Sequence, residues 1–346
     1  MKGRGTGLQP NNRFASQERG NYHEEGIDEQ LLQERVPTEY IVEHPKTVMS
    51  KNESPDIPFT YSINPYQGCE HGCIYCYARN SHEYWGYNMG LDFERKIVVK
   101  PDAPRLLEKS FLSPSWKPQV VMLSGNTDCY QPAEKKYGIT RELLKVFQKY
   151  GNPLGIITKN ALIERDLDVL SDLASEHLVH VIFTITSLDE ELRRVLEPRT
   201  SHPLKKLKVM EKLTQKGIPC GVMMGPIIPG LNNTEIPRIL KLSSEYGALT
   251  STFTLVRLNG QLGTLFREWL ETHFPDRAAK VWNQICSIHD GQVNDSEFGR
   301  RMRGEGPLAE SIHAMFSKMQ DKYFKDKKMP DYDFTRFRRK GVLNLF

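Results

Sequence analysis

The chain has 346 residues, 47 of them Lys or Arg and 43 Asp or Glu, for a formal net charge of +4. Hydrophobic residues make up 38% and mean hydropathy is −0.53; no stretch approaches the roughly 18 apolar residues of a membrane span, which excludes a membrane-embedded function. The mildly basic balance permits nucleic-acid binding without demanding it, and the length suits one domain of barrel size with extensions.

Residues 1–55 are polar and show little apolar periodicity, so they read as an extended, partly disordered arm. The opening MKGRGTGLQPNNRF lacks the apolar core of a secretory signal. Six cysteines in such a chain argue for metal ligation over disulfides, and a cytoplasmic protein is expected. Residues 56–258 alternate between strand and helix patterns. Strands are predicted over Tyr61–Asn64, Gln119–Leu123, Leu154–Thr158, Val179–Ile185, Pro219–Met224 and Ser251–Val256, with Lys96–Lys100 as a side strand. Helices are predicted over Thr140–Lys149 with Thr140 as N-cap, Leu162–Ala174, Asp189–Leu196, Pro203–Lys216 ending at Gly217, and Ile236–Tyr246. Residues 259–346 turn helical, over Leu262–His273 and Asp276–Ile288, with a charged, aromatic tail from about residue 320. Alternation of this kind implies an α/β fold of parallel βαβ units. A barrel and a doubly wound sheet give the same string, so the pattern leaves both open.

The densest chemical signal is Cys69-Glu70-His71-Gly72-Cys73-Ile74-Tyr75-Cys76, three cysteines in C-x3-C-x2-C spacing with no fourth nearby. Four thiolates would complete an iron–sulfur cluster or a closed structural metal site; three leave one coordination position open. Gly72 lets the chain fold tightly between the first two ligands. Zinc held by the three cysteines with His71 or His82 is the alternative, although zinc sites usually build from separated C-x2-C pairs. Cys129, Cys220 and Cys286 read as ordinary buried thiols. In parallel β/α folds functional groups gather at the C-terminal strand ends. Those ends carry the cysteine loop, Ser124-Gly125-Asn126-Thr127-Asp128, Thr158-Lys159-Asn160, Thr184-Ile185-Thr186-Ser187, Gly225–Asn232 and Arg257.

At C-x3-C-x-aromatic-C the chain resembles the radical S-adenosylmethionine (SAM) enzymes. The resemblance implies a [4Fe–4S] cluster on Cys69, Cys73 and Cys76, SAM at the open iron, Tyr75 beside the adenine, a partial (β/α)6 TIM-type barrel, and a flavodoxin- or ferredoxin-type electron donor. SAM also sets demands on the strand ends. Lys159 suits its carboxylate, with Arg199 as a second cation; Thr184 and Ser187 suit the carboxylate or ribose; Ser124, Asn126 and Asp128 suit the amino group or the substrate.

A narrower likeness follows from Thr127-Asp128-Cys129-Tyr130-Gln131-Pro132, Thr158-Lys159, Arg165-Asp166, Leu196-Glu197-Pro198-Arg199 and Lys2-Gly3-Arg4-Gly5. These stretches are similar to a radical SAM branch related to spore photoproduct lyase. One departure matters: Gly125 stands where that lyase carries its cysteine hydrogen donor. The radical-quenching step is therefore not implied; Cys129, Tyr130 and Tyr137 are conceivable relays, with packing as the plainer reading of each. The likeness favours DNA lesion repair or another nucleic-acid modification, with a protein or small molecule as alternative, and a non-catalytic Cys-rich metal-binding module as the reading from another class.

Three basic clusters, Lys2/Arg4, Arg300-Arg301/Arg303 and Arg336/Arg338-Arg339-Lys340, read either as solvated surface or as phosphate-contacting arms. The terminal Leu343–Phe346 resembles peptides that dock on bacterial sliding clamps, with two leucines and a phenylalanine to fill an apolar groove; packing on its own domain is the plainer alternative.

Overall fold

The computed structural model describes residues 3–14 and 37–341. Its strands are β1 (Glu39–Val42), β2 (Met49–Lys51), β3 (Tyr61–Ile63), β4 (Tyr66–Gln67), β5 (Lys96–Val99), β6 (Val121–Leu123), β7 (Leu154–Thr158), β8 (Val179–Thr184), β9 (Cys220–Ile227) and β10 (Thr250–Leu255). They form a seven-stranded sheet in the order β10-β9-β8-β7-β6-β3-β2 and a small sheet in the order β1-β5-β4. From β3 to β10 every neighbouring pair in the large sheet is parallel, and β2 adds an antiparallel edge.

This order decides between the two architectures the sequence left open. A doubly wound sheet reverses direction at a switch point. Here each parallel strand pairs with its successor along the chain, as in a barrel, and the described strands leave a seam between β10 and β2. The parallel α/β sheet is consistent with a partial barrel. Its central strands β7, β8 and β9 are largely apolar because helices cover one face and the barrel interior the other; Leu154, Ile156, Val179, Val181, Phe183 and Val222 are all 0% exposed.

The predicted helices fall close to the observed Ile139–Tyr150, Glu190–Leu196, Pro203–Gln215, Ile236–Glu245, Leu262–His273 and Ala278–Ser287. Leu162–Ala174 divides into a 3-10 turn over Ala161–Asp166 and a helix over Leu167–Ser175. Thr140 is not an N-cap: that position is Gly138, and the Thr140 hydroxyl donates to the Cys129 carbonyl instead (2.6 Å). The helix Pro307–Phe324 was not anticipated as one element; it packs on Ile236–Glu245 and β10. No described helix is long and apolar enough to cross a membrane.

Both described stretches of the polar arm are tied to the body. β1 pairs with β5 and β2 with β3; Leu8 accepts a backbone hydrogen bond from Leu91 (3.0 Å). The C-terminal helices also reach the body. Leu262, Leu265, Phe266, Trp269 and Ile285 share one apolar cluster with Ile74, Tyr75 and Leu196, so they cover the cysteine loop. The proposed clamp peptide Leu343–Phe346, Lys2, and the middle of the arm lie outside the described residues.

Candidate metal and cofactor site

The cysteine loop follows β4. Gly68 and Gly72 have φ of +77° and +68°. A Cβ on Gly72 would sit 2.8 Å from Glu94 Oε2, so glycine is required on both counts. Cys69 and Cys73 are buried, Cys76 partly so, and none is in a disulfide. The loop is gripped from behind by Arg79, which is fully buried. Its guanidinium donates to the carbonyls of Cys73 (3.0 Å), Gly72 (3.2 Å), Met89 (3.2 Å) and Gly90 (3.0 Å), and pairs with Glu94 at 2.6 Å. Arg79 thus satisfies carbonyls that the turn leaves without partners, and Glu94 neutralises it. The Gly5 amide donates to the other Glu94 oxygen (2.9 Å), while Arg4 donates to the Glu94 carbonyl (2.5 Å). Residues 3–8 are therefore a strap across the outside of the loop.

On the barrel side the loop meets Glu197. This carboxylate is buried, accepts from the Tyr75 and Thr186 hydroxyls, and lies 3.6 Å from Lys159 Nζ. Burial opposes its ionisation, but Lys159, Lys206 and the two hydroxyls outweigh that and hold it at about 2. Lys206 is fully buried with its ammonium on the Thr184 carbonyl (2.9 Å); burial, offset in part by Glu197, lowers it to about 8. Lys159 is the more accessible cation. It donates to the Gly225 carbonyl (3.2 Å) and lies 5.8 Å from the Tyr75 ring centre.

The remaining strand-end residues brace this arrangement. Asp128 accepts from the Tyr130 amide (2.8 Å), the Thr158 hydroxyl (2.8 Å) and the Lys159 amide (2.7 Å), with His71 Nδ1 at 3.4 Å. Ser124 accepts from the Cys129 amide (2.7 Å). Asn126 donates to Ser81 (2.9 Å). The Ser187 hydroxyl donates to Glu235 (2.6 Å). Gln131 spans the cysteine loop, accepting from the Glu70 amide (3.0 Å) and donating to the Gly68 carbonyl (3.0 Å). Arg199 sits on the outer side of the loop, paired with Glu70 at 3.2 Å, away from the Lys159 pair. Cys129 and Tyr130 are 0% exposed in the main core, where the Tyr130 hydroxyl is held by Asp166 (3.0 Å).

The comparisons with known proteins agree with this geometry. The model of the radical SAM superfamily matches residues 63–243, a span that begins at the end of β3 and takes in the cysteine loop. The chain belongs to the radical SAM superfamily. An uncharacterised protein of Mycobacterium tuberculosis is 33% identical over 226 residues, 65% of this chain and 66% of that protein, so the chain spans just under two thirds of that relative's length. An uncharacterised protein of Methanocaldococcus jannaschii is 29% identical over 226 residues, 65% of this chain and 81% of that protein. Among solved structures, spore photoproduct lyase complexed with dinucleoside spore photoproduct superposes with TM-score 0.59 at 14% identity, covering 82% of this chain and 79% of that one. A mutant of that lyase with bound AdoMet and the dinucleoside gives 0.59 at 15% identity, with the same coverage; these likenesses concern the fold.

As a radical SAM protein the chain is an enzyme that uses a [4Fe–4S] cluster and SAM, and the non-catalytic module is set aside. The residues present fit the cluster. Burial pushes the thiols of Cys69, Cys73 and Cys76 above their ordinary value, so thiolates there need a metal partner. Among the described residues no three His, Cys, Asp or Glu side chains are arranged to hold one ion. A cubane imposes no such convergence, because each thiolate binds a different iron. Neither histidine of the zinc alternative is poised to complete a site. His71 lies between Asp128 and Asn160, and His82 packs on Tyr87 and Phe93.

Sequence reasoning missed Arg79, Glu94, Gln131 and Lys206. Gln131 and Glu197 stood inside quoted motifs without a role. Arg79 and Lys206 look like surface cations at helical spacing, and only the tertiary structure buries them. Two basic clusters change meaning as well. Arg338 donates to the carbonyls of Gln148 (2.9 Å) and Lys149 (3.1 Å), and Arg339 to those of Phe111 (3.2 Å) and Trp116 (2.7 Å). They cap the C-terminal ends of helices Ile139–Tyr150 and Ala103–Leu112. Arg300 pairs with Asp295 (2.5 Å), and Arg301 with Asp56 (2.5 Å).

Proposed function

We propose that this radical SAM enzyme acts on a nucleic acid, in repair of a DNA lesion or a related modification, in the cytoplasm and with a flavodoxin- or ferredoxin-type reductant. When bound, the cluster and SAM supply a 5′-deoxyadenosyl radical that takes a hydrogen atom from an unreactive carbon. The chain's residues position and shield. Lys159 receives the SAM carboxylate; of the two cations considered it is the one on the barrel side, and Arg199 is given up for that role. Tyr75, fixed through its hydroxyl, offers its ring to the adenine. Thr184 and Ser187 remain the ribose candidates, and Ser124, Asn126 and Asp128 hold the strand-end loops that frame the ligand. The helices from Leu262 onward exclude water from the loop's apolar side. Cys129 and Tyr130 are left without a relay role.

The reading is carried by the lyase likeness of the motif stretches, which here converge on the cysteine loop: Gln131 and Arg199 through its backbone and Glu70, Glu197 through Tyr75. That the matching fold holds a dinucleoside in spore photoproduct lyase supports the same substrate class. Division into an arm (1–55), a barrel (56–258) and an extension (259–346), and clamp docking by Leu343–Phe346, stand as further parts of the proposal. The test is anaerobic reaction of the loaded enzyme with SAM, dithionite and ultraviolet-treated, deuterium-labelled oligonucleotides. Deuterium recovered in 5′-deoxyadenosine is the expected result. Transfer only from peptide or small-molecule candidates would remove the nucleic-acid reading.

A further inference from the structure

Arg257 stands two residues beyond the end of β10, the last parallel strand, and it is half-buried. Among the described residues it has no hydrogen-bond or salt-bridge partner. Its electrostatic neighbours are Arg301, Tyr77 and Asp56. Asp56 attracts it through space but is bound directly to other groups, one oxygen to Arg301 Nε (2.5 Å) and the other to the Gly299 amide (2.6 Å), so its charge is shared with Arg301. Arg301 adds a like charge. Tyr77 directly follows the last cysteine, is 48% exposed, and has its hydroxyl fixed on the Gly125 carbonyl (2.8 Å). A fixed, accessible aromatic ring therefore lies near a guanidinium that makes no direct ion pair among the described residues, at the C-terminal rim where substrates of such folds enter.

Partial burial of a guanidinium without a directly bound anion is unfavourable, and an incoming oxyanion relieves it. Phosphate matches the planar fork, and a base matches the ring. We propose that Arg257 is the substrate-phosphate subsite of this enzyme, seating a nucleotide phosphate beside Tyr77; this rests on the nucleic-acid reading given above. The other strong cations nearby do not offer the same opening, since Arg300 and Arg301 are already paired.

The test uses the full-length, cluster-loaded protein and two probes, a short single-stranded oligodeoxynucleotide and inorganic pyrophosphate, titrated across a salt series. Arg257→Gln is expected to weaken both roughly tenfold and to reduce the slope of log affinity against log salt by about one phosphate contact. Arg257→Lys, which keeps the charge and tests folding, is expected to retain the slope. Oligonucleotide binding that is equal in wild type and Arg257→Gln would overturn the subsite and leave the nucleic-acid reading standing. Pyrophosphate binding that depends on Arg257, with no oligonucleotide binding, would make Arg257 a site for some other phosphorylated ligand and overturn both the nucleotide subsite and the nucleic-acid reading. Binding of neither probe by wild type sinks both. Loss of SAM binding in Arg257→Gln would make Arg257 a cofactor residue and overturn the proposal.

Discussion

Glu197 is ionised inside the protein because two lysines and two hydroxyls surround it. Its folded value of about 2 lies below the ordinary 4.5. The stabilisation is therefore fully present above pH 4.5 and is lost as pH falls through 4.5 towards 2. The size of the shift corresponds to about 3 kcal/mol. Glu197→Gln should lack this acid-labile component. Urea unfolding of the metal-free wild type and variant at pH 6 and pH 3.5 checks it, and equal losses in both would refute the linkage. His82 poses the opposite case. It is 0% exposed, and burial lowers it to about 3, opposed only in part by the Asp92 backbone. Its imidazole works as an apolar plug behind Gly68, so His82→Leu should retain full iron content and change stability by less than about 1 kcal/mol. Loss of iron in that variant would restore His82 as a ligand candidate.

At the scale of elements, the parallel strands were legible because the central ones, β7, β8 and β9, are largely apolar and mostly buried, and because strand and helix patterns alternate along the chain. β1 and β2 were not. Their residues are partly exposed, so their polar sequence resembles an arm although pairing with β5 and β3 fixes them. Thr140 was misread because a hydroxyl near a helix start signals a cap, whereas here Gly138 ends one short helix and begins the next. The cysteine motif was legible from spacing alone. Its supports were not, since Arg79 and Glu94 acquire meaning only when residues 15 apart are buried together. The strap of residues 3–8 belongs to the same class. A Cβ on Gly5 would lie 1.9 Å from the Gly72 carbonyl oxygen, so Gly5→Ala must lift the strap. Less iron per chain and faster bleaching of the cluster in air are expected. Unchanged iron and bleaching rate would show that the strap is dispensable. Removing a helix cap has a milder effect: Arg339→Ala should cost about 1–2 kcal/mol by thermal unfolding, with iron content unaltered.

At the scale of the molecule, the net charge of +4 overstates the cationic surface open to a polyanion, because Arg338, Arg339, Arg300 and Arg301 serve internal contacts. Arg301 has a second consequence. Its pairing with Asp56 joins segments 245 residues apart and bridges the seam between β10 and the first edge of the sheet. Asp56→Ala should raise amide exchange at Gly299, which donates to Asp56, and at Leu255, which donates to Met302 (3.1 Å). Protection that persists at both would mean the seam is held by apolar packing alone. The distances in sequence also fix when the metal site can exist. Ile74 hydrogen-bonds to Leu196, and Tyr75 meets Glu197 across 122 residues. At ribosomal speeds of about 5–20 residues per second, roughly 6–24 s separate synthesis of the cysteines from synthesis of their anchors. During that interval the thiols are made but not yet held in place, so a nascent chain is a poor recipient for iron and the finished fold is the proper one.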